Sequence, residues 1–451
     1  MILLAIDWST VAVKAGQLIL SLSILVVLHE LGHFIPAKIF KTKVEKFYLF
    51  FDPWFALIKK KIGGTEYGIG WLPLGGYVKI AGMIDESMDK EQMKLPPQPW
   101  EFRSKPAWQR LIIMIGGVTV NLLLGFFIFS MILFTWGEDY LPAKNLTYGV
   151  YVDSLGQKIG IKNGDHIVSV NGKEVGNFNK LSGDFILNEA QTIQVQRNGQ
   201  MLDLKVPEGS IRTLINRKGD PLARPAFPAV VDSVFTTNVQ FSKDALIRGD
   251  TIISLNGEQI SSLAQFQDRK SLLKNTEIAM SVVRMSGDTA DVRAKIDANP
   301  TFRAVSGDKF LKVEHKDYTF LESLPAGVAK GWETLIMNLK NFKLLFTSKE
   351  VKASESLGSF ISIGNMFGEQ WDWERFWSMT ALLSIVLAFM NILPIPALDG
   401  GHVIFTLYEM ISGRKPGEKF MEYAQMVGMI LLLLLMAYAL GLDFWRFLFK
   451  S

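Results

Sequence analysis

Three stretches of this chain carry no charged side chain: Leu111–Trp136, Phe376–Leu398 and Tyr423–Leu442. Each is long enough to cross a hydrocarbon layer roughly 30 Å thick, because a helix rises about 1.5 Å per residue. A fourth stretch, Gly16–Ile35, is equally apolar except at His29, Glu30 and His33. The pattern predicts four membrane-spanning helices, over residues 10–37, 107–136, 372–402 and 421–446. The first does not read as a cleaved signal peptide, since the run is too long and no small-x-small site follows it.

Between the second and third spans the pattern changes to strand-like alternation, and it repeats. "GDHIVSVNG" at Gly164–Gly172 returns as "GDTIISLNG" at Gly249–Gly257, and "VDS" occurs at both Val152–Ser154 and Val231–Ser233. Two copies of one small β-rich module are expected, over 137–220 and 221–310. In each, Gly-Asp enters a strand and Asn-Gly forms a tight hairpin turn. The following segment, 311–371, contains an amphipathic pattern over Leu324–Phe346. That helix is expected to lie along the outer membrane surface or to pack on the modules. The loop 38–106 contains "TEYGIGWLPLGGYVKIAGM", Thr65–Met83, whose alternation, glycines and aromatics read as a hairpin or strand pair. "PPQPW", Pro96–Trp100, is a break.

Composition agrees with a membrane chain, at 49% hydrophobic residues. The absence of cysteine excludes disulfides, thiolate metal sites and a cysteine nucleophile. The net charge of +4 gives no support to nucleic-acid binding. Its placement is more informative. Lys38–Arg110 holds 13 Lys/Arg against 8 Asp/Glu, and the short loop after Asp399 adds Arg414, Lys415 and Lys419. The positive-inside tendency puts both loops in the cytoplasm and leaves both termini and Gly137–Glu374 outside.

The candidate chemistry sits in the first span. His29-Glu30-Leu31-Gly32-His33 is H-E-x-x-H, and residues four apart share one helix face. Two neutral imidazoles on one face suit zinc, and the adjacent Glu30 can take a proton from a zinc-activated water. Ionisable groups inside a span usually mark function. A catalytic zinc has three protein ligands and one open position. His166 and His315 fall in the external segment. Asp399 closes the third apolar run and His402 follows three residues later, next to helix breaks at Pro394 and Pro396. Descending from Gly16, span one reaches His29 after about 20 Å of helix. Span three descends the same way to Asp399, so both lie towards the cytosolic leaflet. Residue chemistry leaves Asp399 and His402 both open as the third ligand. "GIGWLPLGG" lacks the strand–helix setting of a nucleotide site.

H-E-x-x-H in the first span, Asn391-x-x-Pro394-x-Pro396-x-Leu398-Asp399-Gly400 in the third and the repeated modules between spans two and three resemble the site-2 protease family. The tandem modules resemble its bacterial, regulator-of-sigma-E branch. The resemblance implies a multi-pass α-helical membrane protein with four transmembrane helices and an intramembrane zinc site. It implies two PDZ-like domains between helices two and three, and a membrane-associated β-hairpin at about 58–83. It implies His29, His33 and Asp399 as zinc ligands and Glu30 as acid/base. Asn391 and the hairpin residues Gly75, Gly76, Tyr77 and Val78 would meet the substrate. The activity implied is zinc metalloendopeptidase cleavage within single-pass membrane proteins, of the pre-trimmed anti-sigma-factor type or remnant signal peptides. PDZ-like domains would filter or dock these substrates, and hydroxamates would inhibit. The location implied is a bacterial inner membrane, with the active site towards the cytosol and the PDZ-like domains in the periplasm. One departure is plain: relatives carry Gly-Pro-x-x-Asn in span two, whereas this chain has Gly117-Val118-Thr119-Val120-Asn121, without a proline. A proteolytically inactive PDZ-containing scaffold is the alternative, and it predicts loss of Glu30 or a ligand. A metal transporter predicts ionisable residues along several spans, and the apolar runs Leu111–Trp136 and Tyr423–Leu442 of spans two and four carry no charged residue.

Overall fold

The computed structural model describes residues 7–73, 75–83, 96–217, 220–234, 239–241, 244–271, 276–296, 302–304, 310–347 and 360–449. Leu74 of the expected hairpin and residues 348–359 of the 311–371 segment lie outside the described residues. Two compact units emerge: Met1–Gly137 with Asp317–Lys343 and Ser356–Ser451, and Glu138–Lys316 with Leu344–Glu355.

The first unit is helical. Its long helices are α1 (Trp8–Ile39), α2 (Ala107–Trp136), α3 (Phe320–Thr347, within this unit as far as Lys343), α4 (Trp373–Ile392), α5 (Asp399–Ser412) and α6 (Glu418–Phe449). α1, α2, α4 and the Lys419–Asp443 part of α6 are long and apolar enough to cross a membrane. Lipid tails are as apolar as leucine, so spans associate through close packing and polar bonds rather than through the hydrophobic effect. Both devices are present. Gly32 of α1 meets Gly116 and Gly117 of α2 so closely that a Cβ on any of them would overlap the opposite helix or the imidazoles it carries. Gly125 of α2 likewise receives Ile385 of α4. Ser384 Oγ donates to the Asn121 carbonyl at 2.6 Å, and the Thr380 and Ser21 hydroxyls meet at 2.9 Å.

Two expectations need correction here. Span three is not one helix over 372–402. α4 ends at Ile392, an irregular turn follows, and α5 begins at Asp399. Pro394 and Pro396 cannot donate backbone hydrogen bonds, and the residue before a proline avoids helical geometry. The amphipathic helix α3 neither lies apart from the spans nor packs only on the modules. It runs antiparallel beside α2: Phe320 stacks edge-on with Phe134 at 5.7 Å, Gly327 sits against Ser130, and Gly331 sits against the Phe126 ring.

The loop after α1 forms a four-stranded sheet of β1 (Val44–Leu49), β2 (Phe51–Ile62), β3 (Thr65–Leu72) and β4 (Tyr77–Ile80), in the order β2-β3-β1-β4. The expected pairing within Thr65–Met83 is not formed. β3 makes its hairpin with β2 around Gly63-Gly64, both at positive φ, and β1 separates β3 from β4. Alternation alone marks strands but not their partners, which depend on where the buried face lies. Here Val44, Tyr48 and Ile80 are buried, and Val44 and Ile80 pack with Ala37, Ile113 and Met114. At the far end Trp54 is 91% exposed, and its ring stacks on Trp71.

The second unit contains the two repeats, and the repeated motif proves structural. Asn171-Gly172 and Asn256-Gly257 are tight turns with both residues at positive φ, as an Asn-Gly hairpin turn requires. Each Asn side chain also accepts a backbone N–H from the neighbouring strand, Thr192 in one copy and Ala279 in the other. Asp165 and Asp250 of the Gly-Asp pairs are buried. Asp165 takes the Arg197 guanidinium at 2.7 Å and the Lys162 N–H at 2.8 Å. Asp250 takes Arg284 at 2.8 Å and the Ile247 N–H at 2.9 Å. A buried carboxylate needs such partners. The copies are joined where Tyr151 and Arg224 both donate to Asp268, at 3.0 and 2.7 Å. Burial and the Asp268 bond push the Tyr151 phenol up to about 12, so it remains a donor.

Breaking one partner of a buried ion pair costs about 3 kcal/mol or more. Asp250→Ala in the full chain should raise amide exchange in the strands Thr251–Leu255 and Thr276–Val283, leaving Thr192–Arg197 protected. Unchanged exchange in the second copy would contradict this account.

Candidate metal centre

Inside the first unit, α1 carries His29 and His33 one turn apart, and the start of α5 brings Asp399 to them. The two Nε2 atoms are 3.2 Å apart, and each lies 3.3 Å from Asp399 Oδ2. Among the described residues this is the one cluster of three or more His, Asp or Glu donors that could hold an ion. Asp399 Oδ2 is buried and accepts no hydrogen bond. Two donor atoms about 2.05 Å from a tetrahedral zinc lie about 3.3 Å apart, so the triangle has the edge lengths of three zinc ligands. The orphaned oxygen and the two facing nitrogens fit a divalent cation.

Several local features hold the triangle. The turn before α5 places Ala397 at φ +85, a left-handed conformation costly for alanine. Gln425 of α6 accepts the Ala397 N–H at 3.2 Å, and Gly428 lies directly against the Pro396 carbonyl. A Cβ at Gly400 would overlap the carbonyls of Ile392 and Leu393, so the chain can reverse there only with glycine. Asp399 stands in the first turn of α5, where the helix dipole favours a carboxylate. His33 Nδ1 bonds the Ile113 carbonyl at 2.8 Å, and His29 Nδ1 faces Asn121 Nδ2 at 3.2 Å.

The cluster opens into a cavity of about 920 Å³. Glu30 lines it, with the Val78 backbone beside its carboxylate. Asn391 lines it too, with Nδ2 3.4 Å from His29 Nε2. Gly75, Gly76, Tyr77 and Val78 form the facing wall, with Gly75 at φ +147. Among the described residues β4 pairs with β1 alone, so its other edge is open. Tyr77 donates to Asp52 at 2.7 Å, and burial with that carboxylate holds its phenol far above the usual range.

The sequence-read site residues thus meet in one place, and Asp399 rather than His402 joins the histidines. His402 lines the cavity; His166 and His315 belong to the second unit. Reasoning from charge alone passed over Gln425, and it named Asn121 only as the end of the span-two motif. Both are uncharged amides inside charge-free runs, 1% and 6% exposed, and polarity amid oil was the signal that could have found them.

The profile of Peptidase family M50 matches residues 17–435. The chain belongs to this family, the site-2 proteases, which use zinc. It is 26% identical to the regulator of sigma E protease of Haemophilus influenzae, over 96% of this chain and 98% of that one. It is 29% identical to a protein named as a zinc metalloprotease in Vibrio cholerae, over 95% and 97%. A Campylobacter jejuni protein with a similar name, Cj1068, is 27% identical over 93% and 90%.

Removing zinc should release the strained turn. Chelation is expected to raise amide exchange at residues 397–401, with little change in α2. Equal protection with and without metal would mean the turn is held by Gln425 and packing alone.

Proposed function

We propose that this protein is an intramembrane endopeptidase that cuts the membrane-spanning segments of single-pass proteins. What supports it most directly is one cavity containing the three converging donors, Glu30 and an open strand edge. His29, His33 and Asp399 would hold the zinc. Bound zinc supplies Lewis acidity at the scissile carbonyl and makes water acidic enough to attack near neutral pH. Glu30 takes one proton from the attacking water as the new C–O bond forms. It then passes that proton to the amide nitrogen as the C–N bond breaks. A helical substrate hides its peptide bonds, and the open edge of β4 can receive an unwound segment as an added strand. Asn391, beside His29, is placed to bond the backbone of that segment.

The Lys/Arg excess of loop 38–106 supports a cytosolic location for the sheet and for the site's opening, with the repeats in the periplasm of an inner membrane. The repeats, as PDZ-like domains, screen substrates by size. The name of the Haemophilus relative supports substrates of the anti-sigma-factor type.

Purified protein in detergent should cut a single-pass model substrate within its span, and a hydroxamate should block the cut. Glu30→Gln should retain zinc and lose activity by about 10²-fold or more. A variant that keeps zinc and still cuts at the native rate would remove Glu30 from this role. Because the chain has no cysteine, single introduced thiols report topology cleanly. Lys60→Cys should react with an impermeant maleimide only from the cytosolic side, and Lys173→Cys only from the periplasmic side. The reverse pattern would invert the orientation.

A further inference from the structure

A histidine that ligates a metal through Nε2 carries its proton on Nδ1, and that N–H needs an acceptor. For His33 the acceptor is the Ile113 carbonyl at 2.8 Å. For His29 the group at Nδ1 is the Asn121 amide, at 3.2 Å. Asn121 is 1% exposed, and its Oδ1 is buried without a hydrogen-bond partner. With Nδ2 turned to the ring, the amide donates to Nδ1 and forces the proton onto Nε2, which closes that nitrogen to a metal. The oxygen and nitrogen of an asparagine amide are nearly the same size, so a half-turn exchanges them. The exchange gives His29 Nδ1–H its acceptor and places Nδ2 at the buried position Oδ1 now occupies. Ser384, bonded to the Asn121 carbonyl at 2.6 Å, and the close contact of α1 with α2 hold the backbone at this position.

We infer that Asn121 is a positioning residue for the metal centre: its Oδ1 accepts the His29 Nδ1 proton and keeps Nε2 open to zinc. α2 therefore orients both imidazoles of α1, one through a backbone carbonyl and one through a side chain. The inference rests on the reading of His29 as a ligand, and the test separates the two.

Zinc affinity is measured on the full-length protein in detergent by competition with a chromophoric chelator, for native, His29→Ala, Asn121→Leu and Asn121→Asp chains. Helical circular dichroism of each metal-free chain controls for folding. His29→Ala should abolish tight binding. Asn121→Leu, of similar size but with no acceptor, should bind zinc about 10–100-fold more weakly. Asn121→Asp, which restores an acceptor, should bind at least as tightly as native. Native-like affinity of Asn121→Leu with loss in His29→Ala would overturn the role of Asn121 alone. Unchanged affinity in His29→Ala would overturn the ligand reading beneath it. Equal weakening in Asn121→Asp and Asn121→Leu would assign Asn121 to packing. A measurement on the native chain is independent of whether Asn121→Leu folds. Histidine ¹⁵N spectra of the zinc-loaded protein should show a slowly exchanging proton on His29 Nδ1, and a rapidly exchanging one would refute the bond.

Discussion

Two imidazole nitrogens and a carboxylate oxygen meet within 3.3 Å of one another inside an apolar bundle. The carboxylate oxygen lies 3.3 Å from both ring nitrogens and is otherwise buried without a partner. Such an arrangement is costly in a low-dielectric setting. A divalent ion turns the same convergence into three short bonds. Much of the first unit serves to keep these atoms at zinc-ligand spacing. The glycines at 32, 116 and 117 let α1 and α2 approach until α2 touches the histidine rings. Prolines 394 and 396 end α4 where Asp399 must swing inwards. Gln425 and Gly428 of α6 brace the strained turn.

The same economy of partners appears in the second unit by a different route. Each repeat buries an aspartate where its strand begins, and each meets it with an arginine at the end of a later strand or just beyond it and with a backbone amide. The Asn-Gly turn after that strand is tied to the next by the asparagine side chain. The aspartate and the Asn-Gly turn of the repeated nine residues thus carry the polar contacts the two copies share, while positions 166/251, 168/253 and 170/255 differ between them. The bond from Tyr151 to Asp268, which Arg224 shares, makes the two copies direct neighbours.

Glu30, Asn391, Asn121 and Gln425 each face a specific partner, a backbone amide or a ligand nitrogen, and the cavity lining also includes Lys46, Asp52, Lys79 and His402. The wall opposite the histidines is an edge strand, and an edge strand offers unpaired N–H and C=O groups at regular spacing. A cavity that joins a metal cluster to such an edge is suited to a backbone substrate more than to any particular side chain.

Four apolar runs, an H-E-x-x-H with helical spacing, an aspartate after a Pro-x-Pro break and an 85-residue repeat were all legible in the chain. Each is local: hydrophobic length, helix periodicity and turn chemistry act over a few residues and need no partner. What sequence left undecided was every question of pairing. Asp399 and His402 are both near a helix break, and only the folded turn through Ala397 selects Asp399. Gly75–Lys79 reads as half of a hairpin, yet its partner is β1, because sheet register follows the buried face rather than chain order. α3 has an amphipathic pattern that suits a membrane surface, and it packs instead along α2, where Gly327 and Gly331 allow close approach. Asn121 and Gln425 gain meaning only from the ring and the turn they reach. Chain-local physics determined the elements and the chemistry available; long-range packing, where one atom's partner lies hundreds of residues away, decided which atoms meet.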